Sequence, residues 1–149
     1  MLTIETYIAP SGIHGIGLFT KTPVEAGVVV AYYASYVDRL MSKGKINEMP
    51  QVARDFYTAY AFCIDGQYML WGDSGRFINH ALDGNLSYLA FVRTAKRAYF
   101  YQFVALRAIP SGAELTADYS TFDLEQYERI SEFKELREAA LWPPKITEP

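Results

Sequence analysis

GRFINHALDGN, residues 75–85, places an Asn-His pair at the end of a short apolar run and two residues before an Asp-Gly turn. His80 is one of only two histidines among 149 residues. A histidine beside an amide can form a fixed hydrogen-bonding pair, act as a general base or ligate a metal. The rest of the chain bears on which of these roles fits.

Strand patterns surround this stretch. AFCIDGQYML contains two apolar runs joined by Asp65-Gly66, which is the strongest short signal for a β-hairpin. Runs rich in β-branched and aromatic residues indicate four more strands, in TIETYIA, VVVAYYA, LSYLAFV and AYFYQFVAL, with the polar RTAKR as a turn before the last. The sequence therefore predicts a mostly β domain.

Helical patterns are confined to two places. Residues 45–60 allow a short helix after Pro50. Residues 122–141 carry an apolar stripe at helical spacing, Ser120 to Asp123 fits a capping box, and WPP ends the pattern. The stripe consists of Leu124, Tyr127, Ile130, Phe133, Leu136 and Ala140. We therefore expect a C-terminal helix after the strands.

Composition narrows the function classes. A formal net charge of −3 argues against a duplex nucleic-acid binder and is compatible with a basic peptide partner. The single cysteine, Cys63, excludes a disulfide framework and predicts a buried thiol in a reducing compartment. No apolar run reaches the roughly 18 residues of a membrane span, and the first residues lack a signal-peptide pattern. We expect a soluble intracellular protein.

Three other kinds of site are considered and set aside. WGDSGRF resembles a serine-protease nucleophile loop, but that site needs an upstream His and Asp, and a polar turn is favoured. SGIHGIGLFT has its glycines in the wrong order for a dinucleotide fingerprint, which leaves a glycine-rich turn or a close approach of main chain to a ligand. His14, His80 and Cys63 lack metal-ligand spacing, so no metal is expected.

Three segments taken together are more specific. HGIGLFT, FINHALDGN and AIPSGAELTADYS resemble, in their residues and order, the SET domain of protein lysine methyltransferases, as does the turn between LFTKTPVEAG and VVVAYY. The resemblance covers nearly the first 120 residues. It implies a β-clip-like SET fold of several small sheets, in which the segment bearing the last tyrosine of these motifs threads beneath a loop as a pseudoknot. The implied organisation is a SET domain over 1–120, with an insert at about 38–75, and a post-SET helix and C-terminal segment over 121–149.

The resemblance implies S-adenosylmethionine as the cofactor. Asn79 and His80 would hold it and brace the knot, with His80 as a fixed hydrogen-bonding residue. The main chain of residues 14–17 would contact its methionine part, and Trp142 would cover the adenine. The implied cofactor-binding set is His14, Gly15, Ile16, Gly17, Asn79, His80, Tyr119 and Trp142.

The resemblance also implies catalytic side chains. Tyr119 in ELTADY matches the family's catalytic tyrosine at the rim of the methyl-transfer pore, and Tyr33 would line the lysine channel, with Tyr32 as the alternative register. Many members limit the number of methyl groups with an aromatic ring at the position of Ala117. Tyr88 lies where some members carry a compensating tyrosine, which predicts monomethylation; packing in the core is its other interpretation.

The implied partner is a lysine-containing protein or peptide, most often a histone tail, which would pair as a strand with residues 61–71. No direct nucleic-acid or membrane contact is implied, and small stand-alone members, viral and bacterial ones among them, can form homodimers. The site of action would be the nucleus, or a host nucleus, for a histone and the cytoplasm otherwise. Two alternatives stay open: a catalytically weak SET-like module that binds a peptide, and a methyltransferase of a non-histone protein.

The sequence departs from the family at four places. YYASY, residues 32–36, lacks both acids and the glycine of the usual Glu-Tyr-x-Gly-Glu, Ala81 replaces a serine, Gly84 replaces a proline, and no cysteine cluster follows Tyr119. The last difference excludes a zinc-bound post-SET segment.

Overall fold

A computed structural model describes residues 1–64, 66–93 and 98–123, and for residues 90–93 and 98–100 it describes the main chain only. Ten strands and two α-helices occur in these residues. In chain order they are β1 (Thr6–Pro10), β2 (Ile16–Thr20), β3 (Val29–Tyr32), β4 (Arg39–Ser42), α1 (Lys43–Asn47), α2 (Gln51–Tyr60), β5 (Ala61–Ile64), β6 (Gln67–Leu70), β7 (Asn79–His80), β8 (Leu86–Arg93), β9 (Ala98–Ala105) and β10 (Thr116–Ala117).

The strands form three small sheets. β1 and β2 make an antiparallel pair, and β4, β6 and β5 make an antiparallel sheet with β6 in the centre. The third sheet has the order β3-β9-β8-β10-β7, in which β10 is parallel to both of its neighbours. The predicted mostly β class with several small sheets is confirmed.

One hydrophobic cluster joins all three sheets. Each side chain of this size stabilises the folded state by about 1.5–3 kcal/mol when it leaves water. The cluster therefore holds the three sheets as one unit. Its buried members include Leu18, Val30, Phe62, Met69, Trp71 and Phe103.

The predicted β5–β6 hairpin is confirmed. Ile64 pairs with Gln67, and Gly66 between them has a φ of +73°, which glycine adopts without steric cost. β8 and β9 form a longer antiparallel pair, from Leu86↔Ala105 to Arg93↔Ala98. Residues 94–97 of the predicted turn between them lie outside the described residues.

The helix predicted after Pro50 is also confirmed, because Pro50 is the residue that precedes α2. The shorter α1 begins after Ser42, whose hydroxyl accepts a hydrogen bond from the Lys45 amide at 3.4 Å. Both helices precede β5 and lie within the segment that contains the β4-β6-β5 sheet. From Leu124 onward the predicted C-terminal helix lies outside the described residues. No helix in the described ranges has the length and apolar character that a membrane span requires.

The segment WGDSGRF forms the predicted polar turn. Asp73 caps a 3-10 helix, Ser74–Phe77, by accepting a hydrogen bond from the Gly75 amide at 2.9 Å. Gly72 approaches the main chain of Val37 so closely that a Cβ would lie 2.0 Å from its carbonyl oxygen.

Two local predictions were wrong: the capping box from Ser120 to Asp123 and the buried thiol of Cys63. Ser120 and Asp123 do not form a capping box, because a 3-10 helix, Tyr119–Thr121, begins earlier and Asp118 caps it. The Asp123 carboxylate is instead buried and accepts a hydrogen bond from the Cys63 amide. Cys63 itself is half-buried, since it lies on β5 at the edge of a sheet.

Candidate active site

The predicted pseudoknot lies at the centre of the five-stranded sheet. β10 is inserted between β7 and β8, with Thr116 opposite Asn79 and Ala117 opposite both His80 and Leu86. Residues 81–85 connect β7 to β8, so they cross over β10. The chain leading to Tyr119 therefore passes beneath this connection.

Two neighbouring residues hold the crossing. A Cβ on Gly84 would lie 2.8 Å from the Cα of Ala117 and 2.9 Å from the Asp118 amide nitrogen, so only glycine leaves room for this approach. The Asn85 side-chain amide donates to the Glu114 carbonyl at 2.8 Å and accepts from the Thr116 amide at 3.0 Å. The crossing is thus fixed by close packing and by hydrogen bonds.

His80 is a fixed hydrogen-bonding residue in this knot. Its Nδ1 accepts a hydrogen bond from the Tyr119 amide at 3.1 Å. This contact uses the ring nitrogen Nδ1 within the knot, as expected for a residue that braces it. Three or more His, Cys, Asp or Glu side chains do not come together as a metal-ligating group anywhere in the described part of the chain.

Tyr119 is buried directly beyond the crossing, with 5% of its surface exposed. Its hydroxyl donates to the Ile78 carbonyl, immediately before the Asn-His pair. Burial raises the pKa of this hydroxyl far above its ordinary 10.0, and the negative charge of Asp123 raises it further. The hydroxyl is therefore a protonated, oriented group across the physiological pH range.

Aromatic rings surround Tyr119, and we call them the aromatic cluster. Tyr88 stacks on Phe122 with 4.7 Å between ring centroids, and Phe122 meets the ring of Tyr119 at 5.6 Å. Tyr88 also stacks on Tyr101 at 6.1 Å, and Tyr33 meets Tyr101 edge-on at the same distance. The structure thus connects Tyr33, Tyr88 and Tyr119 through their neighbours. The aromatic cluster consists of Tyr33, Phe62, Tyr88, Tyr101, Phe103, Tyr119 and Phe122.

Tyr33, and not Tyr32, lies beside the aromatic cluster. The Tyr33 amide donates to the Tyr101 carbonyl at 2.7 Å, which places its side chain beside the cluster. The Tyr32 hydroxyl instead lies 3.4 Å from the hydroxyl of the exposed Tyr36.

Phe122 is a ring that sequence reasoning missed. Ala117 is fully buried beneath the crossing and offers no ring to the aromatic cluster, whereas Phe122 contacts both Tyr88 and Tyr119. The only sequence signal was an aromatic residue three positions after Tyr119, and it was assigned to the C-terminal helix.

The glycine segment, residues 14–17, lies against Asn79. The Asn79 Nδ2 lies 3.1 Å from the His14 carbonyl, 3.2 Å from the Ile16 carbonyl and 2.8 Å from Glu114 Oε1. Gly15 has a φ of +50°. The His14 side chain is exposed, so His14 contributes to the site through its main chain. The structure thus brings together the main-chain and amide groups assigned to the cofactor.

These groups suit an amino-acid moiety such as the methionine part of S-adenosylmethionine. Asn79 uses its Nδ2 within the protein, which leaves its amide oxygen as an acceptor for an ammonium. A Cβ on Gly15 would meet nothing within 4 Å, so the segment borders open space. Trp142, the proposed cover of the adenine, lies outside the described residues.

Glu114 and Asp123 are two further carboxylates that sequence reasoning missed. Glu114 contacts Asn79 and Ser11. Asp123 accepts from the Cys63 amide at 2.8 Å, which ties the segment after Tyr119 to edge strand β5. The motif ELTADY contains Glu114, but nothing in its spacing indicates these partners.

Comparison with known proteins agrees with this geometry. The SET-domain family model matches residues 15–120. Histone-lysine N-methyltransferase 2B from Homo sapiens is 34% identical over 119 residues, which cover 73% of this chain and 4% of that protein's length. The chain therefore spans a small part of that curated relative.

Solved structures share the fold. Chaetomium thermophilum PRC2, in an autoinhibited conformation bound to S-adenosylmethionine, matches with a TM-score of 0.63 at 22% identity, over 89% of this chain and 17% of the other. A SET protein from Plasmodium falciparum matches with a TM-score of 0.58 at 16% identity, over 79% of this chain and 95% of the other. The knot around Asn79 and Tyr119 and the match over residues 15–120 lead to one conclusion: the chain belongs to the SET-domain family.

Proposed function

We propose that this chain is an S-adenosylmethionine-dependent protein lysine N-methyltransferase whose acceptor is a histone tail. The observation that carries the proposal is the position of Tyr119. Its hydroxyl donates to the Ile78 carbonyl within the aromatic cluster, and its main-chain amide donates to the His80 ring. Such an oriented group would suit the point where a cofactor site meets an acceptor channel.

The cofactor would lie against the glycine segment and the Asn79 amide oxygen, and when bound it supplies a methyl group already activated on a sulfonium. The main chain of residues 14–17 would bind its amino-acid part. Residues 121–149 would form a post-SET segment, with Trp142 over the adenine.

The aromatic cluster would prepare the acceptor lysine. Transfer to an amine requires the neutral form, and an aromatic channel removes water from the ammonium, which lowers the pKa of the lysine. Ring faces attract the cation as it enters. Tyr33 and Tyr88 would line the channel, and the Tyr119 hydroxyl oxygen would orient the methyl group through weak C–H···O contacts.

The acceptor peptide would lie along β5. Within the described ranges β5 is an edge strand, and Phe62 on this strand meets the ring of Tyr119 edge-on at 5.4 Å. The Asp123 carboxylate already accepts from the Cys63 amide, so a peptide would pair with the remaining main-chain groups of this strand and could thus direct a lysine toward the aromatic cluster. The name of the human relative and the net charge of −3 support a basic histone tail.

A histone acceptor would place the site of action in the nucleus, or in a host's nucleus, with no direct contact to nucleic acid. Independently of the acceptor, the resemblance to small family members supports a homodimer that would complete the substrate groove. Sedimentation of the free protein tests the last part, which a monomer at assay concentration contradicts.

The test of the proposed function is transfer of a deuterium-labelled methyl group. Core histones and a lysine-rich cytosolic fraction are incubated separately with the protein and S-adenosylmethionine labelled at the methyl group, and lysines are examined by mass spectrometry. Labelled lysine in histones supports the proposal. Label in the cytosolic fraction alone identifies a non-histone acceptor, whereas cofactor binding without transfer identifies a peptide-binding module.

A further inference from the structure

The Glu114 carboxylate lies between Asn79 and Ser11, outside every role assigned so far. Its Oε1 accepts from the Asn79 Nδ2 at 2.8 Å. The same carboxylate accepts from the Ser11 hydroxyl at 2.8 Å on Oε1 and 3.0 Å on Oε2. The Glu114 side chain thus contacts Ser11, which precedes the glycine segment in the chain, and Asn79, which lies against that segment.

Ser11 passes this contact to the main chain of the loop. Its Oγ accepts from the Ile13 amide at 2.8 Å and from the His14 amide at 3.2 Å. The Ser11 amide in turn donates to the Gly15 carbonyl at 2.9 Å. The loop is therefore bound to Glu114 through Ser11 on one side and through Asn79 on the other.

Gly17 packs against the same carboxylate. A Cβ at position 17 would lie 2.3 Å from Glu114 Oε1 and 2.7 Å from its Cδ. No side chain larger than hydrogen is compatible with that contact unless Glu114 moves. A packing contact therefore accompanies the hydrogen bonds.

From this geometry we propose that Glu114 is a positioning residue for the cofactor: with Ser11, it sets the main chain of residues 13–17 and the side chain of Asn79 in their binding orientation. The inference rests on the proposed function, because it assumes that these groups hold S-adenosylmethionine. Glu114 acts through Asn79 and the loop and is assigned no contact with the cofactor.

A carboxylate suits this place better than an amide. Both neighbours, Asn79 Nδ2 and the Ser11 hydroxyl, donate, and Ser11 Oγ already accepts two amides. In a Glu114→Gln variant the amide oxygen can take the place of Oε1 and keep both donors, but the NH₂ group then faces Ser11 Oγ, so the negative charge and the contact at Oε2 are lost. Hydrogen bonds to a charged group contribute about 1.5–3 kcal/mol, which corresponds to roughly tenfold or more in affinity.

The experiment measures binding of S-adenosylhomocysteine by calorimetry and amide hydrogen exchange of residues 12–17. Glu114→Gln and Ser11→Ala are compared with Glu25→Gln and Ser111→Ala, which change exposed residues of the same types. We expect Glu114→Gln to weaken binding about tenfold, Ser11→Ala to weaken it as well because the Ile13 and His14 amides lose their acceptor, and exchange in the loop to accelerate in both. At saturating cofactor, kcat should stay within about twofold of wild type, since the loss falls on cofactor binding.

Gly17→Ala gives an independent reading. Its effect on affinity should be large in the natural background and smaller in Glu114→Ala, because the clashing carboxylate is then absent.

Wild-type affinity and wild-type loop exchange in Glu114→Gln would overturn the inference and leave the proposed function standing. A variant that loses thermal stability and kcat together, with unchanged affinity, would reduce Glu114 to a structural residue. Failure of the wild-type protein to bind the ligand would overturn the proposed function, and this inference with it.

Discussion

Tyr119 links burial to the pH dependence of stability. Its folded-state pKa is raised above the ordinary 10.0 by burial, so its contribution to stability is complete below pH 10 and is lost as the pH rises above it. We expect the free energy of unfolding to fall by up to about 1.4 kcal/mol for each pH unit above 10 from this group. Urea titrations from pH 9 to 11 check this. A Tyr119→Phe protein should show a shallower decline, and an equal decline in both proteins would contradict the assignment.

Tyr88 is the residue proposed to limit the number of methyl groups. Its half-buried ring stacks on both Phe122 and Tyr101, which places it in the aromatic cluster. Tyr88→Phe should therefore raise the dimethyl and trimethyl share of the product on one peptide, as measured by mass spectrometry. Tyr7→Phe, in the β1–β2 sheet, is the control and should leave the product unchanged. A product ratio like that of wild type in Tyr88→Phe would assign this ring to packing.

Single residues could be predicted from the sequence where a motif contains them. Asn79, His80 and Tyr119 stand in motifs whose order identifies the family, so their positions were inferred without coordinates. Glu114 and Asp123 could not be, since their partners Ser11 and Cys63 lie 103 and 60 positions away. Contacts at such separation depend on how the knot brings the segments together.

At the scale of elements, the β7–β8 connection depends on Gly84. Gly84→Ala brings a Cβ within 2.8 Å of the Ala117 Cα, and neither main chain can move without disturbing the crossing. We expect a loss of about 1–3 kcal/mol in the free energy of unfolding, the range for overpacking. Gly44→Ala is the control: it lies in α1 with nothing within 4 Å of its Cβ, and there alanine should stabilise slightly. Equal unfolding midpoints in urea for the two variants would refute the close-packed crossing.

Local elements were predictable and long-range ones were not. The β5–β6 hairpin follows from adjacent apolar runs and a glycine turn, and α2 follows from its proline start. β7 and β10 have two residues each, which is too short for any periodicity to appear. They are strands only because they pair in parallel across the knot, which the family resemblance implied and the residue pattern alone did not.

At the scale of the molecule, Asp123 joins the sheet of β4, β6 and β5 to the segment that carries Tyr119. Its carboxylate is fully buried and accepts from the Cys63 amide. Asp123→Ala should cost about 1–3 kcal/mol of stability, because that amide loses its partner. Chemical denaturation measures the cost, with the exposed Asp83→Ala as control. Retention of wild-type stability in Asp123→Ala would show that other contacts hold the sheets together.

The central claim concerns the whole molecule, that the knot and the aromatic cluster form one methyl-transfer site. The most direct measurement is mass spectrometry of core histones after incubation with S-adenosylmethionine and wild-type, Tyr119→Phe or Tyr36→Phe protein, the last of these changing an exposed ring. The account predicts methylated lysine with wild type and Tyr36→Phe, and at least about a hundredfold less with Tyr119→Phe, the scale of losing one oriented hydrogen-bonding group. Equal methylation by all three proteins would contradict it.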